Sequence, residues 1–142
     1  MSFDLRLRNY NINLVKGDLE LVNGTEKLLQ DILKVLLTKI GANPLCSWYG
    51  SYLTPSVIGQ ANIDPNLKRS IAQTQISNSL SMLKKLQDQQ MLSYQDVIPS
   101  EQIAGIKTIS VQLDKNDPRK YIITVEVLSK DLQTVSTQFT IG

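Results

Sequence analysis

The sequence predicts an α+β protein in which two main helices pack on a small antiparallel sheet. Two segments, near residues 26–40 and 64–90, repeat apolar residues at intervals of three and four, the spacing of an amphipathic helix. After residue 106 the apolar period becomes two, which is typical of strands joined by short turns. No repeat or break in composition divides the 142 residues. We therefore expect one domain that spans residues 1–142.

A short β hairpin is predicted ahead of the first helix, over residues 4–22. Leu5 and Leu7 alternate with polar residues, and the alternation resumes at Leu19 after a turn at residues 16–18. Together these segments form a two-stranded lead-in to the helical part of the chain.

Both helices carry signals at their ends. The first is predicted over residues 26–40, with Thr25 as its N-cap and Gly41 directly after its last turn. The second is predicted from residue 64, where an aspartate N-cap precedes Pro65, to about residue 90. Between them, residues 42–63 are predicted as a long loop or a loop with one short turn, and loops of this length commonly pack against or bind something.

Three strands joined by short turns are predicted after the helices, as an antiparallel meander. The middle strand, residues 121–128, is apolar on nearly both faces, as a central strand should be. The last strand lies in a stretch, residues 132–142, without a charged residue. Natural proteins usually protect an edge strand with lysine, proline, a bulge or a cover.

An unprotected alternating strand is a template for strand addition by a partner chain. We expect this interaction at Val135, Thr137, Gln138, Phe139, Thr140 and Ile141. We also expect that deletion of residues 132–142 leaves a folded helical body that no longer binds. The alternative, that the N-terminal strands cover this edge within the chain, is left open by the sequence.

The composition argues against several functional classes. The absence of histidine removes the commonest general base and metal ligand, so we expect neither a catalytic residue nor a metal or cofactor. The single cysteine, Cys46, excludes an intrachain disulfide and suits a reducing compartment. No run approaches the roughly 20 apolar residues of a membrane span, and the N-terminus lacks the layout of a secretion signal.

A nucleic-acid partner is not expected, because the formal net charge is only +2. The second helix carries four basic residues that lie off its apolar face. A solvated helix face explains them better than a contact with phosphate or with an acidic partner. These residues are Lys68, Arg69, Lys84 and Lys85.

The first 55 residues contain an ordered pattern of motif residues. The pattern is Gly17-Asp18-Leu19-x-Leu21-Val22-x-Gly24-x-Glu26-x-Leu28-x-Gln30-Asp31-Ile32, then Leu36 or Leu37-Thr38, Gly41, Pro44, and Tyr49-Gly50-Ser51-x-Leu53. In this pattern the chain resembles the baseplate wedge proteins of the sheath-initiator family of T-even-like contractile phages, which have relatives in phage-like bacteriocins and type VI secretion baseplates. The family motif corresponds here to Gly24, Glu26, Gln30, Tyr49 and Gly50.

The resemblance implies a structural protein of the virion, located in the tail baseplate and assembled in the host cytoplasm. Its implied partners are other wedge proteins and the tail sheath protein, with the tail tube or hub as a further contact. Six copies around the tail axis are implied, and the C-terminal strands of such proteins pair with strands of the first sheath ring. This agrees with the edge-strand argument, which does not depend on it.

One family feature is missing. Members usually carry a Glu-Pro-Arg motif just before the first strand of the sheet, and only Glu101 corresponds to it here, as a candidate contact with another wedge protein. The similar residues 117–119 fall in the predicted hairpin loop, after the first strand. The contacts that depend on this motif are therefore not transferred to this chain.

An enzymatic alternative comes from the label lysozyme-like that some members of the family carry. A glycoside hydrolase acting on the cell wall needs only two carboxylates, and the chain has 13 acidic residues. Glu126, within the central strand, is the one with the most apolar sequence setting. A solvated position on a half-exposed sheet face explains it equally simply, so we expect no enzyme.

Overall fold

The computed structural model describes residues 4–8, 11–12, 14–57, 63–93 and 97–142, and the chain has the predicted α+β fold. Three helices precede a C-terminal three-stranded sheet, and a set of very short strands precedes the helices. The elements are β1 (Asp4–Leu5), β2 (Leu7–Arg8), β3 (Asn11–Ile12), β4 (Leu14–Val15), β5 (Asp18–Leu19), β6 (Leu21–Val22), α1 (Gly24–Leu37), α2 (Leu53–Val57), α3 (Pro65–Leu92), β7 (Ile103–Leu113), β8 (Tyr121–Ser129) and β9 (Thr134–Ile141).

The N-terminal strands form three short antiparallel ladders, in which β1 pairs with β6, β2 with β3, and β4 with β5. The predicted turn at residues 16–18 is confirmed. Lys16 and Gly17 both have positive φ angles, 52° and 85°, as a tight two-residue hairpin turn requires. The chain thus folds back on itself more often than a single hairpin would.

Helix α1 begins and ends earlier than predicted. Its N-cap is Asn23, and its C-cap is Thr38, which has an extended backbone. The helix stops there because Thr38 O accepts from Ser51 N at 2.8 Å and Ile40 N donates to Ser51 O at 3.2 Å. Residues 38–40 therefore pair with a distant segment instead of continuing the helix, which the sequence pattern of α1 does not reveal.

Helix α3 confirms the prediction at its start, since Asp64 Oδ1 accepts from Asn66 N at 3.1 Å and Pro65 occupies the first turn. The predicted loop contains one short helix, α2, which contributes the buried Leu53 and Val57 to the core. In the part of the chain that the structure describes, no helix is both long and apolar enough to cross a membrane.

The sheet has the order β7-β8-β9, with each neighbouring pair antiparallel. Strand β7 starts at Ile103, three residues before the predicted point, and its pairing with β8 is irregular near both Gly105 and Lys107. The odd-numbered residues of β8 are buried throughout. Side chains from α1, α2, α3 and the sheet form one buried apolar cluster, so the helices pack on one face of the sheet.

Candidate strand-addition site

Strand β9 lies at an edge of the sheet. It pairs with β8 along its whole length, from Leu128 opposite Thr134 to Tyr121 opposite Ile141. No described strand pairs with its other side, because the N-terminal strands pair among themselves. The alternative in which the N-terminal strands cover this edge is therefore not observed among the described residues.

The register determines which backbone groups of β9 point away from β8. Ser129 N donates to Gln133 O at 2.9 Å, directly beyond the turn end of the β8–β9 ladder. Hydrogen-bonded and non-hydrogen-bonded pairs alternate in an antiparallel ladder. Val135 and the odd-numbered residues that follow it consequently bond to β8. The N–H and C=O groups of the even-numbered residues point to the open side: Thr134, Ser136, Gln138 and Thr140.

The side chains of β9 divide between two environments. Val135, Phe139 and Ile141 belong to the buried core, each with 6% exposure. Thr137 on the same face is half-buried. On the opposite face, Thr134, Ser136, Gln138 and Thr140 are all exposed. Each of these exposed side chains is uncharged, so the edge offers a partner strand neither an attractive nor a repulsive charge of its own.

At the opposite edge of the sheet, polar side chains of α3 bond backbone groups of the chain. Gln87 is buried and bridges two backbone groups, donating to Glu101 O at 2.8 Å and accepting from Ile103 N at 2.8 Å. Lys84 Nζ donates to Ala104 O at 3.2 Å, and Gln73 donates to Ile109 O at 3.4 Å. Side chains of α3 therefore bond part of the β7 edge, at Ile103, Ala104 and Ile109, whereas among the described residues no strand pairs with the outer side of β9.

The turn that leads into β9 contains a residue in an unfavourable conformation. Leu132 has a φ of 65° and is 80% exposed. It occupies the left-handed position of a three-residue hairpin loop, where glycine or asparagine is preferred. Its N–H donates to Ser129 O at 3.0 Å. A leucine here neither suits the turn nor contributes to the core, and it stands at the start of the open edge.

The family-motif residues in α1 hold the N-terminal ladders. Gln30 accepts from Leu7 N at 2.9 Å and donates to Leu5 O at 2.7 Å and to Asp4 Oδ2 at 3.0 Å. Glu26 forms an ion pair with Arg6. Gln30 thus bonds backbone groups of a segment that is distant from it in sequence.

Charges along the same side of α1 are partly buried. Burial raises the pKa of Asp31 above its ordinary value, although a hydrogen bond from Lys27 at 2.8 Å opposes this. Burial also acts against the charged form of Asp4. There, hydrogen bonds from Lys34, from the Leu5 N–H and from Gln30, together with the charge of Lys34, hold the pKa below 3.8. The contacts of Asp4 with Gln30 and Lys34 hold β1 against α1.

Two further motif residues shape the loop after α1. Gly50 is buried with a φ of 121°, and a Cβ there would lie 2.5 Å from Thr38 O. Tyr49 is half-buried against the core and meets Trp48 edge-to-face, with 6.4 Å between ring centroids. Burial raises the pKa of Tyr49 above 10.0, the charges of nearby carboxylates adding to this. These residues fix the loop so that α2 can reach the core.

Glu101, the candidate wedge contact, is 1% exposed. Its Oε1 accepts from Gly24 N at 3.0 Å, at the start of α1, while the Asn23 side chain makes no capping bond. The predicted N-cap, Thr25, is wrong, because the capping group comes from the segment that precedes β7. The Glu101 carboxylate thus makes an internal contact, and sequence spacing gave no signal for it.

Glu126 lies half-buried on the outer face of β8, between Thr108 of β7 and Ser136 of β9. It is the only acidic residue in these three strands. A glycosidase mechanism needs a second carboxylate within about 10 Å, and no residue of the sheet supplies one. No group of three or more potential metal-ligating side chains occurs among the described residues.

Comparison with known proteins leaves the family open. No protein-family model matches the chain, and no curated protein matches it significantly.

Proposed function

We propose that this protein is a structural subunit that joins a partner by accepting a β-strand along β9. The observation that carries the proposal is the contrast between the two edges of the sheet. Side chains of α3 bond the backbone of the β7 segment, whereas no described strand pairs with the outer side of β9. Natural proteins manage exposed edges, so an edge left open beside one that is covered suits strand addition.

The partner strand that fits this edge is amphipathic. On the core face it would lie beside Val135, Phe139 and Ile141, whose buried surfaces favour apolar neighbours. On the outer face it would lie beside Ser136 and Gln138, which favour hydroxyl or amide side chains. Main-chain hydrogen bonds would supply affinity, and the side chains on the core face and the outer face of β9 would supply specificity.

Within this function we propose a place in the baseplate of a contractile tail, as a wedge protein of the sheath-initiator type. The resemblance in the N-terminal part supports this, and the residues that carry it, such as Gln30 and Gly50, have defined contacts in the fold. The tail sheath protein is the proposed source of the added strand. Other wedge proteins and the tail tube or hub are further partners, in six copies about the tail axis.

Deletion of residues 132–142 is a poor test of this proposal, contrary to the expectation from sequence. Val135, Phe139 and Ile141 belong to the core, so the deletion would remove buried apolar surface and expose β8. A test must leave the β8–β9 pairing intact and change only the outward groups.

Amide exchange read by NMR at each residue offers such a test. In the dilute free protein, the amides of Ser136, Gln138 and Thr140 should exchange rapidly, and those of Thr137 and Phe139 should be protected. Adding the sheath protein of the phage that encodes this chain should slow the first group selectively. Equal protection of both groups in the dilute free protein, or no change on adding sheath protein, would contradict the proposal.

A proline variant provides the matching binding test. Gln138→Pro removes one outward N–H, to which no other described residue bonds. Edge strands tolerate proline at such positions. It should keep the thermal stability within a few degrees and weaken sheath binding. Gln112→Thr, at an exposed site on the outer face of β7, is the control for surface change. A cell-wall clearing assay on the purified protein tests the non-enzymatic part of the proposal, since lysis that depends on Glu126 would overturn it.

A further inference from the structure

We infer that, before its partner arrives, the open edge of β9 pairs with the β9 edge of a second copy in a reversible antiparallel dimer. This rests on the open edge of the proposed function and concerns how that edge is protected. An uncharged strand with free backbone groups associates with whatever strand is available. A second copy is present at the same concentration as the chain itself, and its edge carries the same groups.

The backbone pattern of β9 is self-complementary. In an antiparallel pair, each hydrogen-bonded position joins one residue from each strand. The N–H and C=O groups of both residues must point away from their own sheet and toward the other strand. The outward residues are the even-numbered ones, so two copies related by a twofold axis can pair even residue with even residue. The same pairing places even side chains together on the outer face and odd side chains together on the core face. The two sheets would then join into one without exchanging faces.

The apolar side chains select the register. With the axis at Gln138, Val135 lies opposite Ile141 of the second copy, and Thr137 lies opposite Phe139. Every core-facing residue from 135 to 141 then has a partner on that face. A slip of two residues toward the turn would set Ile141 against the exposed polar Gln133, and a slip the other way would leave Val135 unmatched.

The outer face accepts this register without a charge conflict. Ser136 lies opposite Thr140 of the second copy, and Gln138 lies opposite itself, where two amides can bond. Lys107 is the cation that reaches this strand, donating to Thr134 Oγ1 at 3.3 Å, close to the turn and away from the axis. A single strand pair is a small contact, so the dimer should dissociate readily when a partner strand competes.

Sedimentation velocity at low ionic strength, over a range of protein concentrations, tests this inference. The wild-type chain should pass from monomer to dimer as concentration rises. Gln138→Lys and Gln138→Glu each place like charges directly opposite at the axis and should each raise the dimer Kd by about fivefold or more. An equimolar mixture of the two variants should restore association, because the charges are then opposite. Gln112→Lys and Gln112→Glu are matched controls on β7 and should behave as wild type.

A wild-type chain that stays monomeric throughout would overturn the inference, as would Gln138 variants that dimerise like wild type or a mixture that does not recover. None of these results depends on sheath protein. A wild-type chain that binds sheath protein but never dimerises would refute this inference alone. A wild-type chain that dimerises but does not bind sheath protein would refute the proposed function alone.

Discussion

Replacing Glu101 with alanine should destabilise the protein although the residue lies in only a single turn of 3-10 helix, Pro99–Glu101, between α3 and β7. Its carboxylate accepts from the Gly24 N–H at the start of α1 from 77 positions away. The residue at the usual capping position, Asn23, makes no side-chain capping bond. The structure therefore predicts that the capping energy of α1 depends on Glu101 and not on Asn23.

The size of the effect follows from burial and bonding. A hydrogen bond to a charged group contributes about 1.5–3 kcal/mol, and the carboxylate is 1% exposed. The second carboxylate oxygen, Oε2, is buried without a hydrogen-bond partner. Truncation removes the desolvation cost of that oxygen, which reduces the loss of stability by about 1 kcal/mol. Loss of the buried Cγ methylene adds about 1 kcal/mol. The net prediction for Glu101→Ala is a loss of about 2 kcal/mol in the free energy of unfolding.

Urea denaturation followed by circular dichroism measures this directly. Asn23→Ala should cost less than about 0.5 kcal/mol, well below the ~1 kcal/mol of an ordinary N-cap substitution. Glu101→Gln, which keeps an acceptor of similar shape, should fall between the two. An Asn23→Ala cost equal to or greater than that of Glu101→Ala would refute the assignment of the cap.

Three further outcomes follow from local geometry. Leu132→Gly should raise stability by about 1 kcal/mol in urea denaturation, since φ is 65° at an exposed site; an unchanged midpoint would count against strain there. Gly50→Ala should cost about 2–3 kcal/mol, because its added Cβ meets backbone at 2.5 Å, whereas Gly105→Ala, with nothing within 4 Å, should be tolerated. The depressed pKa of Asp4 contributes stability above its ordinary value of 3.8 that is lost as pH falls through the lower folded pKa. In an acid titration, Asp4→Asn should therefore be less stable than wild type at pH 6, and the difference should shrink as pH falls below 3.8.

The elements that the sequence predicted well are those whose signals are local. The start of α3 needs only Asp64 and Pro65, and both act as predicted. The alternation in β9 likewise fixes which of its side chains enter the core. The turn at Lys16 and Gly17 needs only their own backbone freedom. In each case the residues that determine the conformation lie within a few positions of one another.

The predicted start and end of α1 were wrong because contacts from distant residues set them. Thr25 was the expected cap and residue 40 the expected end, yet the helix starts at Gly24 and stops at Leu37. Glu101 and Ser51, distant in sequence, supply the hydrogen bonds that set these limits. Intrinsic signals at helix ends are worth about 1 kcal/mol, so a buried tertiary bond of similar or larger energy can override them.

For the candidate site, residue types alone predict an uncharged last strand with alternating side chains. The fold adds that this strand lies at the edge, that its even-numbered backbone groups point outward, and that Gln87 and Lys84 bond the segment at the other edge. Strand order and edge coverage depend on contacts between segments far apart in the chain. Backbone hydrogen-bonding groups are the same in every residue except proline, so their satisfaction is a property of the fold and not of the sequence pattern.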